Sequence, residues 1–250
     1  MIFDGIEVIT DYLESDCAYL AGQTSITEYN IISRPTIEMA EDYLDRGWRR
    51  FGKMFFRPNC TDCSKCIPLR VDLKNFKMTK SMRRAQNRNQ DVRVEIGIPE
   101  CTREHIKLHN MYHRHQNKIK NWPHHNISAT EYRMLFCEPM TFAREYRYFN
   151  SQNEMIAVGY VDELPTAFSS LYFFYNPEWA PLSPGIFSIL TEINKAIADG
   201  ADYYHLGYYV KGCPSMQYKL RFNRFDLLMG EDNLWGWDDA EWHTSDKLNE

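Results

Sequence analysis

Long apolar runs are missing from this chain of 250 residues. None approaches the ~20 residues that a helix needs to cross a bilayer, so no membrane-spanning helix is expected. The pattern of a secretory leader is missing too. The opening stretch MIFDGIEVITDYLESD carries acids where a basic region and then an apolar one would stand, and a cytosolic protein is expected. Repeats and low-complexity segments are absent, and 14% aromatic residues exclude a disordered chain. Bases are scarce at the start: residues 1–45 hold Arg34 against ten acids, a net of −9.

The next block has the opposite sign. Residues 46–93 hold fourteen bases and three acids, a net of +11, and residues 231–250 return to −6. A basic block inside a chain of pI 5.9 points to one local surface for a polyanion, because neutralised phosphates release counterions. Pairing of the acidic head with the basic block inside one fold is the competing explanation. The length suits one large domain or two small ones. The break is expected near 95–105, giving residues 1–98, a second domain over 99–235 and an acidic tail over 236–250.

Periodicity supplies the elements. Residues 36–47 read as a helix with Thr36 as cap and Gly47 as stop. IPLRVDL (67–73) and VRVEIGI (92–98) alternate as half-buried strands. SMRRAQNRNQ (81–90) reads as a helix capped by Ser81, with Arg84 and Arg88 one turn apart. Helices are expected over 101–120 and, behind the capping box Ser128/Glu131, over 129–137. Strands at 155–164 and 167–175 precede a helix with Ser183 as cap, Pro184 in its first turn, an apolar stripe from Ile186 to Ile197, and Gly200 as stop. DYYHLGYYV (202–210) is the next strand. Together these predict an α+β (mixed α/β) fold with a central sheet in the second half.

The seven cysteines are odd in number, which argues against a disulfide framework. Cys60, Cys63 and Cys66 stand in two C-x2-C steps, with Arg57, Lys65 and Arg70 nearby to favour thiolates. Cys17, from the same half, is the first candidate for a fourth ligand. Zinc and an iron–sulfur cluster both remain open, as do plain reduced thiols; the ferredoxin continuation x3-C-P is missing, since position 70 is Arg. A redox-sensing thiol group is a further reading.

Several ordered motifs in the second half narrow the field. VDELPTAFSSLYFFYNPEWAPLSPGIFSILTEI and YYHLGYYVKGCPSMQYKLRF, with Cys17, Tyr19, GWRRFG and FRPNCTDCSKCIPLRV before them, resemble the aminoacyl-tRNA–protein transferases of the N-degron pathway. The likeness spans about residues 15–230. The cysteine run and the Arg-Arg-x3-Arg segment resemble the bacterial branch, which moves leucine from leucyl-tRNA to proteins beginning with Asp or Glu. Arginyl transfer is the alternative, since Cys213 stands where eukaryotic members also place Cys. The resemblance implies an acetyltransferase-like (GNAT) second half and a direct transfer that requires no cofactor. A metal-ribbon nucleic-acid-binding module without catalysis would explain the cysteines and the basic block, and would leave the tyrosine-rich half without a purpose.

The reaction dictates residue types. An aminoacyl ester is already activated, so the protein must align two substrates, take a proton from an ammonium, and stabilise an oxyanion. For tRNA the candidates are Lys80, Arg83, Arg84, Arg88, Lys219 and Arg221. For the acceptor carboxylate they are Arg49 and Arg50, because a guanidinium binds carboxylate with two parallel bonds. Asp202 and His205 are the candidate acid–base pair, against the competing view of His205 as an ordinary histidine near the sheet surface. Period two places 202 and 204 on one face and 203 and 205 on the other. Tyr208 and Tyr218 are candidates for an aminoacyl or adenosine pocket. Ser169 and Ser170 lack the G-x-S-x-G context of a nucleophile.

Overall fold

The computed structural model describes residues 7–222, 224–230 and 240–245. The chain opens with a hairpin that pairs β1 (Val8–Asp16) with β2 (Thr24–Ile32), from Val8 opposite Ile32 to Asp16 opposite Thr24. Thr36 then caps α1 (Ile37–Asp45) by accepting from the Met39 amide, as its sequence predicts. Met39 and Tyr43 of that helix bury with Ile32, Trp48 and Phe55. β3 (Arg49–Phe51) and β4 (Met54–Pro58) complete a small sheet in the order β1-β2-β4-β3.

The larger sheet takes β5 (Cys66–Asp72), β6 (Arg93–Gly97), β7 (Ala143–Phe149), β8 (Met155–Glu163), β9 (Ala167–Tyr175), β10 (Tyr203–Val210), β11 (Phe225–Met229) and β12 (Glu241–Thr244). Their order is β12-β11-β5-β10-β9-β8-β7-β6. α2 (Lys80–Arg88) and α5 (Pro184–Ala198) cover one face. α3 (Arg103–Lys120) and α4 (Ala129–Phe136) pack on the other, beside β3 and α1 of the small sheet. Ile189, Leu190 and Ile193 of the apolar stripe on α5 are buried against the sheet. Each such side chain stabilises the fold by about 1.5–3 kcal/mol.

The mixed sheet and most expected elements are present. Three differences have physical causes. The sheets do not divide at residue 98: β5 and β6 precede that point yet pair with β10 and β7, because neither has another apolar surface to cover. The cap of α2 is Thr79, whose hydroxyl accepts from the Met82 amide, and Ser81 falls inside the first turn. Ser183 supplies no side-chain cap to α5; at φ 62° it turns the chain into the helix, and Pro184 takes the first turn. The strands of the small sheet and β7 escaped sequence reading. β1 is exposed along its whole length, so no buried alternation marks it. Of the expected acidic tail, residues 236–239 and 246–250 lie outside the described residues, while Glu241–Thr244 form β12 on the edge of the sheet.

Candidate active site

Among the described residues, β9 and β10 are the one parallel pair, and they part early. Only Tyr203 with Ala167, Tyr204 with Phe168, and His205 with Ser169 stay in register, although both strands run on. A bulge on each side drives them apart: the β10–β5 register slips between His205 and Gly207, and the β8–β9 register slips between Ser170 and Tyr172. Gly207 stands at φ 76°, in the left-handed region that glycine enters without a steric cost.

Separated strands leave carbonyls unpaired, and two cations take them up. Arg49 donates from Nη1 to Ser169 Oγ at 2.8 Å and from Nη2 to the Ser170 carbonyl. Lys219 donates from Nζ to the carbonyls of Leu206 and Tyr208, at 2.8 and 2.7 Å. Burial pushes the Lys219 ammonium down to about 7. Two of the five N–H groups of Arg49 are used in these bonds, which leaves the others for an incoming acceptor.

At the gap, groups from opposite faces of the sheet come within electrostatic reach of one another. Glu192 of α5 is fully buried; its carboxylate accepts from the hydroxyls of Tyr204 and Ser188, Tyr148 in turn donates to Ser188, and the Ser170 hydroxyl lies near enough to lower the carboxyl. Burial raises the Glu192 carboxyl to about 6, against the opposing pull of its hydrogen bonds and of Arg49 from the far face. Tyr218, half-buried, lies within electrostatic reach of Glu192, Arg49 and Tyr19, and burial pushes its hydroxyl up to about 12. Tyr112 of α3, its ring 5.0 Å from that of Tyr175, lies within electrostatic reach of Tyr172 and Tyr218. Behind Tyr172 stands His113, with Nε2 2.8 Å from the Tyr172 hydroxyl, stacked on His109 at 4.1 Å. Burial holds His109 at about 4 and lowers His113 as well, so both rings are neutral at physiological pH.

The expected site residues divide accordingly. Arg49 and Tyr218 lie at the gap. Arg50 does not: it is buried, donates from Nε to Asp162 at 2.7 Å and from Nη1 to the Gly52 carbonyl, and serves to pin β3 onto β8. Tyr208 is likewise structural, its hydroxyl donating to the Gly47 carbonyl at 2.9 Å where the small sheet meets β10. Lys219, buried under the bulge, is corrected from a tRNA contact to a backbone clip. Arg221 is exposed, as are Lys80, Arg83, Arg84 and Arg88 on α2, which packs on α5, the helix that carries Glu192. Asp202 is exposed at the start of β10, and His205 is buried beneath the bulge, held far below its usual range by burial, Arg70 and Arg49.

The cysteines gather without forming a ligand set. Cys66 feels Cys17, Cys60, Cys63 and Cys213, and burial pushes its thiol up to about 12. Cys60 Sγ instead accepts from the Ile26 amide at 3.3 Å. Among the described residues no three His, Cys, Asp or Glu side chains converge as metal ligands would, so the expected four-cysteine site does not fit a metal in this arrangement. No helix among them is long and apolar enough to cross a membrane.

Sequence reading missed Glu192, Ser170 and the contact between Arg49 and Gly207. One signal was present: Glu192 is a lone acid between Ile189 and Ile193 on the apolar stripe of α5.

A mixed sheet split between two parallel strands thus holds a buried carboxylate and a guanidinium within electrostatic reach of each other, a pair suited to proton transfer and to binding an anion. Family models specify the class. That of the arginine-tRNA-protein transferase N terminus matches residues 15–84, and that of the C terminus matches residues 104–229. The chain belongs to this family of aminoacyltransferases. It is 36% identical to an aspartate/glutamate leucyltransferase of Campylobacter jejuni over 223 residues, 89% of this chain and 93% of that one. Relatives of the same name from Helicobacter hepaticus and Pseudomonas fluorescens are 33% and 29% identical, over 85% and 86% of this chain and 88% and 91% of theirs. Among solved structures, FemX covers 83% of this chain and 81% of its own at 8% identity and a TM-score of 0.46. L-PGS from Bacillus licheniformis covers 69% and 52% at 15% and 0.45.

Proposed function

We propose that the protein transfers leucine from leucyl-tRNA to the α-amine of proteins that begin with Asp or Glu. Arg49 and the buried Glu192, within electrostatic reach of each other at the split sheet, carry this reading, and the names of the relatives supply the donor and the acceptor. In the reaction the acceptor nitrogen attacks the ester carbonyl, the new C–N bond replaces the bond to the ribose oxygen, and that oxygen leaves with a proton.

Each group at the gap suits one task. Arg49 offers its remaining N–H groups to the side-chain carboxylate of the acceptor, a fork that suits a planar anion. Glu192, with its carboxyl near 6, accepts the ammonium proton through the hydroxyl of Ser170. This reading moves the proton-accepting role from Asp202 and His205, since a neutral, buried His205 has no carboxylate partner among the described residues to raise its basicity. Tyr218 keeps its proton at any working pH and donates to the oxyanion. The exposed bases of α2 and Arg221 hold the tRNA backbone, where phosphate contacts position without reading sequence.

The test is a swap of charged tRNA. Incubation with leucyl-tRNA and a peptide that begins with Asp gives a product heavier by one leucine, and arginyl-tRNA gives none. Product with arginyl-tRNA alone makes the chain an arginyltransferase, and no product with either overturns the assignment.

A further inference from the structure

A cavity of about 410 Å³ opens at the other end of the parallel pair, away from the split. Glu41, Asp42 and Asp45 of α1 line it together with Asp202, Arg70 and His205. Its only guanidinium is already engaged: Arg70 donates to Asp45 and Asp226, at 2.9 and 3.1 Å, and its plane lies between the rings of Tyr203 and Trp242. Glu41 accepts from both the amide and the hydroxyl of Thr166, and Asp42 pairs with Arg46. The Asp202 carboxylate has no hydrogen bond among the described residues.

The second observation is His205. It is 5% exposed, lines the cavity, and makes no hydrogen bond among the described residues; its ring meets Trp242 edge-on at 5.4 Å. With no partner among the described residues, its ring nitrogens are open to a group that enters the cavity. The cavity therefore presents unspent acceptors, a carboxylate and an imidazole, in a surround of negative charge. An anion such as the leading Asp of the acceptor is repelled here, and an ammonium or guanidinium is welcomed.

Position identifies the cation. His205 and Leu44 line both this cavity and the closed crevice beneath Arg49 and Gly207, so they stand as the wall between the acidic cavity and the gap where the acceptor amine must sit. We propose that this cavity is a subsite for a lysine or arginine side chain a few residues behind the leading acid of the acceptor polypeptide. The inference rests on the transferase reading and adds a second specificity element to it: Arg49 takes the acid, and the α1 acids with Asp202 take the base.

Peptides that begin with Asp test it, with lysine placed in turn at each following position of an otherwise alanine chain. For the wild-type protein, lysine at one or two positions lowers KM about tenfold relative to the all-alanine peptide, the size of one charge-assisted hydrogen bond. In Asp42→Asn with Asp202→Asn, that ratio returns to about one. Because the readout is a ratio of two peptides on one enzyme, any general loss of activity cancels. A wild-type ratio below two at every position, or a ratio that survives the double substitution, overturns the proposal.

A binding arm keeps it separate from the donor assignment. Fluorescence anisotropy of the same labelled peptides without tRNA is expected to show the lysine preference in the wild type and its loss in the double variant. If no charged tRNA yields product yet this preference is seen, the cavity assignment stands and the transfer assignment falls. Equal binding of lysine and alanine peptides overturns the cavity assignment, and circular dichroism verifies that the double variant is folded.

Discussion

The guanidinium carbon of Arg49 lies 3.4 Å from the point where a β-carbon on residue 207 would stand, and residue 207 is glycine. The two positions lie far apart in sequence, on β3 and β10. The close approach is what lets Arg49 reach the Ser169 hydroxyl and the Ser170 carbonyl across the split.

Gly207→Ala is therefore expected to fail twice. The left-handed backbone at φ 76° costs an L-residue about 1–2 kcal/mol, and the new methyl stands at the limit of ordinary contact with the Arg49 guanidinium, which any relaxation of the strained turn pushes aside. Thermal denaturation reads the first effect as a lower Tm. Steady-state transfer to an Asp-led peptide reads the second as a rise in KM larger than the fall in kcat.

Glu192 gives the fold a pH dependence of known sign. Its folded-state value of about 6 lies above the ordinary 4.5, so the folded chain holds the proton longer than the unfolded one. Stability accordingly falls as pH rises from about 4.5 to about 6, by about 2 kcal/mol, and is level above that. Glu192→Gln removes this slope, which urea titrations at a series of pH values report. The same variant lowers kcat by about 10²–10⁴ if Glu192 takes the ammonium proton, and the acid limb of the rate profile disappears with it. A kcat within threefold of wild type rules that role out.

Arg50 and Asp162 stand as a buried pair next to Arg49. Removing one partner strands a charge, and Arg50→Ala is expected to cost about 3–5 kcal/mol in chemical denaturation. Arg50→Met with Asp162→Leu strands none and is expected to recover most of that loss. Equal losses in the single and the double variant contradict the pairing.

Two sets of bases that look alike in sequence are expected to behave differently. Arg83→Ala with Arg84→Ala, on the exposed side of α2, weakens tRNA binding and lowers the slope of log K against log salt by about 0.7–0.9 for each phosphate no longer neutralised, with Tm unchanged. Lys219→Met leaves that slope intact and lowers Tm, because the carbonyls of Leu206 and Tyr208 lose their donor. Nitrocellulose-filter binding over a salt series, paired with thermal melts, separates the two.

Much of the second half was legible because its signals are local. The apolar stripe of α5, the Ser128/Glu131 capping box and the apolar and aromatic run of β10 depend on neighbours within a few positions, and each element formed where its pattern lies. The exposed face of α2 was legible for the same reason, since Met82 and Ala85 mark the buried side and leave the bases outward. Which of two adjacent arginines faces the reaction was not. Arg49 and Arg50 point to opposite sides of β3, and only the partners brought by β8 and β9, Asp162 for one and Ser169 with Ser170 for the other, tell them apart.

The amino-acid sequence by itself determined the class of elements, the family motifs and the surface that carries positive charge, because propensity, capping and periodicity act over one or two turns of chain. Tertiary structure decided which buried polar groups share an environment. Glu192 acquires its raised carboxyl, Lys219 its lowered ammonium and Arg49 its bonds to the sheet only when segments distant in sequence exclude water around them, and desolvation of that kind is a property of the packed volume.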